Sequence, residues 1–311
     1  MTQYQIEADN GLTNANVVVG IPCYNEEDAI ARVIVGLSGI ADKIIVCDDG
    51  SDDMTADIAR ALGCQVIRHE RNMGKGVAMR SLFKAARQTD ADVFVTIDGD
   101  GQHSPADIPR LVMSVLSKGC DIAIGSRYVG NSSDMPVYRR FGSKVLNSVI
   151  NKSFKISVKD TQSGLRAYSK EAIAKISTSE DGMAVDTEIL AKASSLGMRV
   201  KEFPAKISYG GSKTSTKDPV SHSAEVLGST IKFLSIGHPL KFYGVAAVIF
   251  FVSSVLIGVW TVFNYLHTGI LPLGLTLITI SLFIISGILA AIAIIIFSLT
   301  TVVRELHQHK L

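Results

Sequence analysis

The sequence predicts an α/β domain built on a mostly parallel sheet with helices on both faces, followed by a pair of membrane-spanning helices. Three observations predict it. Short, continuous apolar runs alternate with amphipathic stretches along the first part of the chain. Polar clusters, two of them rich in carboxylates, close the runs at 21–27, 48–53 and 98–103. Beyond Pro239 the composition turns almost purely apolar.

The elements follow in order. Asn16 to Ile21 reads as a buried strand, and Glu26 to Leu37 as the helix after it. Lys43 to Cys47 is a second strand, ending in Asp48-Asp49-Gly50-Ser51-Asp52-Asp53, and Thr55 to Leu62 a second helix. Gln65–Arg68 and Val93–Ile97 are further strands, with a helix from Gly76 to Gln88 between them. A helix entered through Pro105 covers Asp107 to Ser117, and Asp121 to Gly125 is a fifth strand. Evenly apolar strands separated by helices belong to parallel sheets buried on both faces. In such sheets ligands bind beyond the carboxyl ends of the strands, where the unusual polar clusters fall. A dinucleotide site is the first alternative, but no G-x-G-x-x-G follows the first strand and no Walker sequence is present.

The segments Phe242–Leu266 and Leu271–Val303 contain no Asp, Glu, Lys or Arg. Each exceeds the roughly 20 residues needed to cross a bilayer. Lys232 and Lys241 flank the first and Arg304 and Lys310 the second, whereas the connection between them lacks Lys and Arg. The positive-inside rule puts the large domain and the C-terminus in the cytoplasm of a multi-pass plasma-membrane protein. Val220 to Leu234 alternates apolar and polar residues at helical spacing, as an interfacial helix or one packed on the domain. The expected organisation is a polar tail (1–15), a cytosolic domain (16–218), a juxtamembrane amphipathic helix (219–238) and the membrane hairpin (239–311).

Net charge over 311 residues is +2, which gives no global signal for nucleic acid. The cysteines at 23, 47, 64 and 120 lack metal or redox spacing and read as buried apolar groups in a reducing compartment. No signal peptide is expected from the polar first residues, and the two Asn-x-Ser sequons read as chance matches.

The densest chemistry is Asp98-Gly99-Asp100-Gly101-Gln102-His103, directly after an apolar strand. Two carboxylates one residue apart raise one another's pKa unless a cation sits between them. Oxygen ligands of this kind suit Mg²⁺ or Mn²⁺ bridging a substrate phosphate. A surface Asp-Gly turn is the alternative.

Six motifs in order resemble the family 2 glycosyltransferases: I-P-C-Y-N-E-E (21–27), D-D-G-S-D-D-M-T (48–55), R-N-M-G-K-G-V-A (71–78), D-G-D-G-Q-H (98–103), G-S-R-Y (125–128) and D-T-Q-S-G-L-R-A-Y (160–168). The resemblance implies the GT-A fold, a Rossmann-like sheet. Within the family the chain is similar to the dolichyl- or polyprenyl-phosphate mannosyl- and glucosyltransferases, archaeal members above all. It implies a nucleotide-sugar site of Pro22, Tyr24, Asn25, Glu26, Asp49, Ser51, Lys75, Asp98, Gly99, Asp100, Gln102, Arg127 and Lys213. Asp98 and Asp100 would be the metal ligands, with Gln102 beside the transferred sugar and Arg127 at phosphate or sugar. Arg139, Arg140, Gln162 and Arg166 would face the acceptor phosphate, although the first two also read as a solvated pair. Asp160 would orient the acceptor, accept a proton or brace a loop. Tyr209-Gly210-Gly211-Ser212-Lys213 lacks the arginine many relatives carry nearby, so Lys213 would act alone or with Lys217.

The implied reaction is inverting transfer of a hexose from a GDP- or UDP-sugar to a polyprenyl monophosphate at the bilayer, with Mg²⁺ or Mn²⁺ as cofactor. A homo-oligomer is compatible with this reading. Extension of a lipid-linked glycan and an inactive scaffold of the same fold are the alternatives. A processive synthase is excluded by the absence of Q-x-x-R-W, since the single tryptophan is Trp260.

Overall fold

The computed structural model describes residues 15–129, 151, 156–206, 235 and 239–308. The chain divides into two compact units, Met1–Ser229 and Thr230–Leu311. Arg139, Arg140, Lys213, Lys217 and, apart from Ser235, the expected juxtamembrane helix lie outside the described residues.

The first unit runs β1 (Val17–Cys23), α1 (Glu27–Gly36), β2 (Lys43–Asp48), α2 (Thr55–Ala61), β3 (Gln65–Arg68), α3 (Lys75–Ala86) and β4 (Val93–Thr96). A 3-10 turn at Pro105–Asp107 leads into α4 (Ile108–Leu116), then β5 (Ile122–Ser126), β6 (Arg166–Ser169), α5 (Lys170–Lys175), α6 (Val185–Ser195) and β7 (Val200–Pro204). The seven strands form one sheet in the order β3-β2-β1-β4-β6-β5-β7. The mostly parallel sheet is as expected, with one exception. β6 lies antiparallel between β4 and β5, pairing Phe94 with Tyr168 and Ala123 with Ala167. A four-residue strand that begins with an arginine offers no apolar run to detect.

Alternation along β1 sends Val17, Val19 and Ile21 to one face and Val18 to the other. The first face packs on Ile30 and Val33 of α1 and Leu111 and Val112 of α4. The second packs on Leu82 and Phe83 of α3 and Ile189 and Leu190 of α6. Phe83, Phe94 and Tyr168 meet at its centre, with ring centroids 5.1 to 6.1 Å apart. Offset and edge contacts of this kind add to the burial of the rings.

The start of α3 fits closely against the segment before α6. The Gly76 N–H donates to Asp181 O at 2.8 Å, and Arg80 reaches both Thr178 O and the Asp181 carboxylate. Glu188, on α6, holds that segment from behind. Its carboxylate accepts from Ser179 N, Ser179 Oγ and Glu180 N and pairs with Lys192. Glycine is required at 76 by space, because a Cβ there would stand 2.0 Å from Glu180 O.

The second unit is a hairpin of α7 (Pro239–Thr268) and α8 (Leu273–Gln308). Both helices are long and apolar enough to span a bilayer. α8 starts after Pro272 rather than at Leu271, because a residue preceding proline is driven out of helical geometry. The buried positions of α7 include Ala247, Ser254 and Thr261, seven apart, and those of α8 include Ser286 and Ala293. Small residues at this repeat let two helices approach closely with a left-handed crossing. Ser254 Oγ donates to Thr279 O and Ser286 Oγ to Ala247 O, each at 3.0 Å. The outward residues, Leu256, Val259, Ile288 and Ile294 among them, are large, apolar and exposed. A helix that is apolar all round yet uncovered is suited by composition to a membrane.

Gly76→Ala should lower the stability of the first unit by about 2–3 kcal/mol, since the backbone carbonyl it meets cannot step aside. Thermal unfolding of the purified variant checks this, and an unchanged midpoint would contradict the packing described.

Candidate active site

The strand order reverses between β1 and β4: β2 and β3 lie on one side of β1, and β4 lies on the other. The loops leaving the carboxyl ends of these two strands diverge there, which opens the crevice where α/β sheets bind ligands. The loop after β1 carries Tyr24, Asn25 and Glu26, and the loop after β4 carries Asp98 to His103. Pro22 belongs to β1 itself, as its penultimate residue.

Part of the expected nucleotide site braces the loops. Asn25 has left-handed backbone, φ 55°, and donates its N–H to Ser51 Oγ at 2.9 Å. Its side-chain oxygen accepts from Asp52 N, and Glu26 N donates to Thr55 Oγ1. These bonds stitch the loop after β1 to the loop after β2, and Ser51 is buried in the seam. Asp49 is also committed. Its carboxylate accepts from Met73 N and Gly74 N and lies 2.6 Å from His69 Nδ1, fixing the turn before α3.

The acidic motif turns at Gly101, where φ is 69°. Gly99 serves a different purpose: a Cβ there would stand 2.6 Å from Cys23 Sγ, so the residue is small to let the motif lie against β1. Asp100 Oδ1 accepts from Gln102 N at 2.9 Å. Asp98 Oδ1 lies 2.9 Å from Lys75 Nζ, and the same nitrogen is 3.1 Å from Asp186 Oδ2. Burial works against the Lys75 ammonium, yet the charges of Asp186 and Asp98 hold its pKa above the ordinary lysine value. Burial likewise opposes the Asp98 carboxylate, but Lys75 holds it below its usual range.

Asp100 and Glu26 make no direct ion pair among the described residues, and the more distant charges of Lys75 and Arg127 only partly offset the repulsion at Asp100. Burial, then the Asp98 carboxylate, pushes Asp100 up to about 6. Burial, then Asp100 and Asp98, pushes Glu26 up to about 7. Three carboxyl groups therefore share one under-neutralised pocket, which a divalent cation would relieve. Among the described residues no three His, Cys, Asp or Glu groups converge to hold a metal unaided. An Asp pair with its remaining positions left to water and substrate phosphates is how Mg²⁺ and Mn²⁺ are commonly held, so the residues fit such an ion.

Beside this pocket Arg127 and Asp160 form a two-pronged pair, Nε to Oδ2 at 2.7 Å and Nη2 to Oδ1 at 2.6 Å. Asp160 also accepts from Arg127 N, and Glu202 in turn accepts from Asp160 N and Lys159 N. Burial opposes the Asp160 carboxylate, but Arg127 holds its pKa below the ordinary value. A carboxylate in this state is a poor proton acceptor, which favours bracing over base chemistry among the roles expected for it. Gln162 is half-buried and donates to Thr187 Oγ1 at 2.7 Å.

Arg166 corrects one expectation. It is fully buried, and its guanidinium donates to Ser163 O, Thr161 O and Asp186 O at 2.8 to 2.9 Å. Enclosed on all these sides, it props the strand entry and does not face an acceptor phosphate. The sequence reading also missed Asp186, Glu188 and Glu202, and it named His103 only as part of the acidic motif, without a role. Asp186 and Glu188 sit in a helix beside buried Val185, Ile189 and Leu190. Carboxylates inside an apolar stretch were the available signal. His103 is buried with Nδ1 lacking a hydrogen-bond partner, and burial lowers its pKa.

The sign of the Glu26 shift makes a pH prediction. A folded-state pKa of about 7, raised from the ordinary 4.5, means that the folded protein holds this proton more tightly than the unfolded chain. Ionised Glu26 therefore costs stability increasingly as pH rises from about 4.5 to 7. Without added divalent cation, Glu26→Gln should unfold near the parent temperature at pH 5. At pH 8 it should be about 1 kcal/mol more stable, after allowance for solvent screening. Coincident melting curves at pH 8 would show that the carboxylate is not under this repulsion.

Residues 18–177 match the family described as Glycosyl transferase family 2. The chain is 32% identical over 235 residues to the dolichyl-phosphate hexose transferase of Haloferax volcanii, covering 75% of this chain and 96% of that protein. It is 32% identical over 211 residues to the UDP-N-acetylglucosamine–dolichyl-phosphate N-acetylglucosaminyltransferase of Methanococcus voltae, covering 61% and 84% respectively. In fold it is similar to glucosyl-3-phosphoglycerate synthase from Mycobacterium tuberculosis, solved with Mn²⁺, UDP-glucose and phosphoglyceric acid. That likeness has a TM-score of 0.56 at 21% identity, over 74% of this chain and 83% of the other. The α/β unit has the GT-A fold, and the chain belongs to glycosyltransferase family 2.

Proposed function

We propose that this glycosyltransferase moves a hexose from a nucleotide sugar, of the GDP-mannose or UDP-glucose type, to a polyprenyl monophosphate in the membrane. The observation that carries the reading is the under-neutralised trio Glu26, Asp98 and Asp100 at the β1/β4 crevice. Supporting it are the family, two relatives named for transfer to dolichyl phosphate, and two helices fit to span a bilayer.

In this reading Asp98 and Asp100 hold Mg²⁺ or Mn²⁺, and the Glu26 loop borders the nucleotide with Pro22 and Tyr24. The bound ion would supply Lewis-acid neutralisation of the leaving diphosphate. Lys75 supplies a fixed positive charge at the same edge, and Gln102 stands next to the reacting sugar. The acceptor phosphate is largely dianionic at neutral pH, with a second pKa near 6, so it attacks without a protein base. A carboxylate such as Asp160, already committed to Arg127, is consistent with that. In-line attack at the anomeric carbon inverts its configuration. Arg139, Arg140 and Lys213 are the further candidates for holding the two phosphates against their repulsion. The flanking lysines and arginines of the apolar helices support a cytoplasmic catalytic unit and C-terminus by the positive-inside rule.

Membranes carrying the protein, supplied with polyprenyl phosphate, Mn²⁺ and a panel of labelled UDP- and GDP-sugars, should form a chloroform-soluble sugar lipid with one donor. EDTA should abolish it, and Asp100→Ala should reduce it about 100-fold or more. No transfer to lipid phosphate from any donor would overturn the acceptor; undiminished transfer by Asp100→Ala would overturn the metal role.

A further inference from the structure

A lysine beside an acidic metal site poses an electrostatic problem. The Lys75 ammonium, 2.9 Å from Asp98, offsets part of the charge with which Asp98 and Asp100 would attract a cation. A full positive charge at this distance directly opposes the approach of a second cation. The structure contains a counterweight. Asp186 Oδ2 lies 3.1 Å from the same nitrogen, and its side chain is 3% exposed. Its other oxygen is 3.8 Å from Arg166 Nη2. Arg166, Asp186, Lys75 and Asp98 thus form a chain of alternating charge, running from the interior of the sheet to the rim of the crevice.

The elements hold Lys75 in the middle of that chain from both sides. Gly76 and Arg80 fasten the start of α3 to residues 178–181, and Glu188 fastens those residues to the first turn of α6, where Asp186 sits. Asp98 is confined as well, since a Cβ on Gly164 would stand 2.0 Å from its Oδ2.

We propose that Asp186 is a positioning residue that shares the Lys75 ammonium with Asp98 and so leaves the Asp98–Asp100 pair the charge to bind a divalent cation with a nucleoside diphosphate. The inference rests on the metal reading of that pair. Without Asp186 the whole lysine charge falls on Asp98, and the cation site is weakened although no ligand has been removed.

The test is binding of Mn²⁺ to the full-length protein in detergent, with UDP or GDP present and no acceptor, followed by loss of the free-Mn²⁺ paramagnetic resonance signal. Asp186→Asn should weaken Mn²⁺ binding about 10-fold. On a Lys75→Met background, whatever its own binding, the same Asp186→Asn change should alter Mn²⁺ binding by less than about threefold, because the ammonium that Asp186 shares is gone. An equal loss from Asp186→Asn on both backgrounds, or unaltered binding by Asp186→Asn with Lys75 present, overturns the proposal. If Asp186→Asn does not fold with Lys75 present, Asp186→Glu decides: binding within about threefold of the parent supports the proposal, because the ammonium is still shared, and about tenfold weaker binding overturns it. A parent protein that binds no Mn²⁺ with either nucleotide would instead overturn the metal reading, and the inference with it.

Discussion

The Lys75 ammonium, sunk between Asp98 and Asp186, is the contact on which the arrangement of the site depends. Burial alone penalises an ammonium, and the two carboxylates that offset this come from the loop after β4 and from α6. One side chain therefore fixes three elements at once. The close seat of Gly76 on residues 180–181 belongs to the same device, since it sets where α3 begins and so where Lys75 starts. Such buried networks are costly to break because each group removed strands its neighbour.

The carboxylates of the crevice divide by what neutralises them. Asp49 is consumed by two backbone N–H groups and His69 and Asp160 by Arg127, whereas Asp98 shares the one Lys75 ammonium with Asp186. Glu26 and Asp100 have no ion-pair partner among the described residues, and burial with mutual repulsion pushes their pKa values towards neutrality. Structural and reactive acids thus lie within a few residues of one another in the chain and differ in their surroundings. The same division explains why an acceptor that arrives as a phosphate suits the proposed reaction: the committed acids are unfit as bases, and a dianion needs none.

The helical hairpin applies a separate logic. Its inner seam is small and hydroxylated, with serines bonded to carbonyls of the facing helix, while its outer surface is large and apolar. In hydrocarbon there is no hydrophobic gain from pairing two apolar helices, so close backbone approach and interhelical hydrogen bonds must hold them together. A membrane-bound catalytic unit is also what a polyprenyl acceptor would require, because its phosphate lies at the bilayer surface.

Sequence alone determined the fold class, five of the seven strands among the described residues, the pair of long apolar helices and the place of the acidic motif. These depend on local signals: apolar runs, helical periodicity, and Asp-Gly-Asp at the end of a strand. It named Lys75 with Asp98 and Asp160 with Arg127 but not Asp186 and Glu202, which complete those contacts, and it placed Arg166 wrongly. Asp186 lies 111 positions from Lys75 and Glu202 lies 42 from Asp160, distances over which composition carries no information. Only the tertiary structure decided that β6 slips antiparallel between β4 and β5, burying Arg166 among the carbonyls of Thr161, Ser163 and Asp186. It also decided which acids are neutralised, because a pKa is set by the neighbours that folding supplies and not by neighbours in sequence.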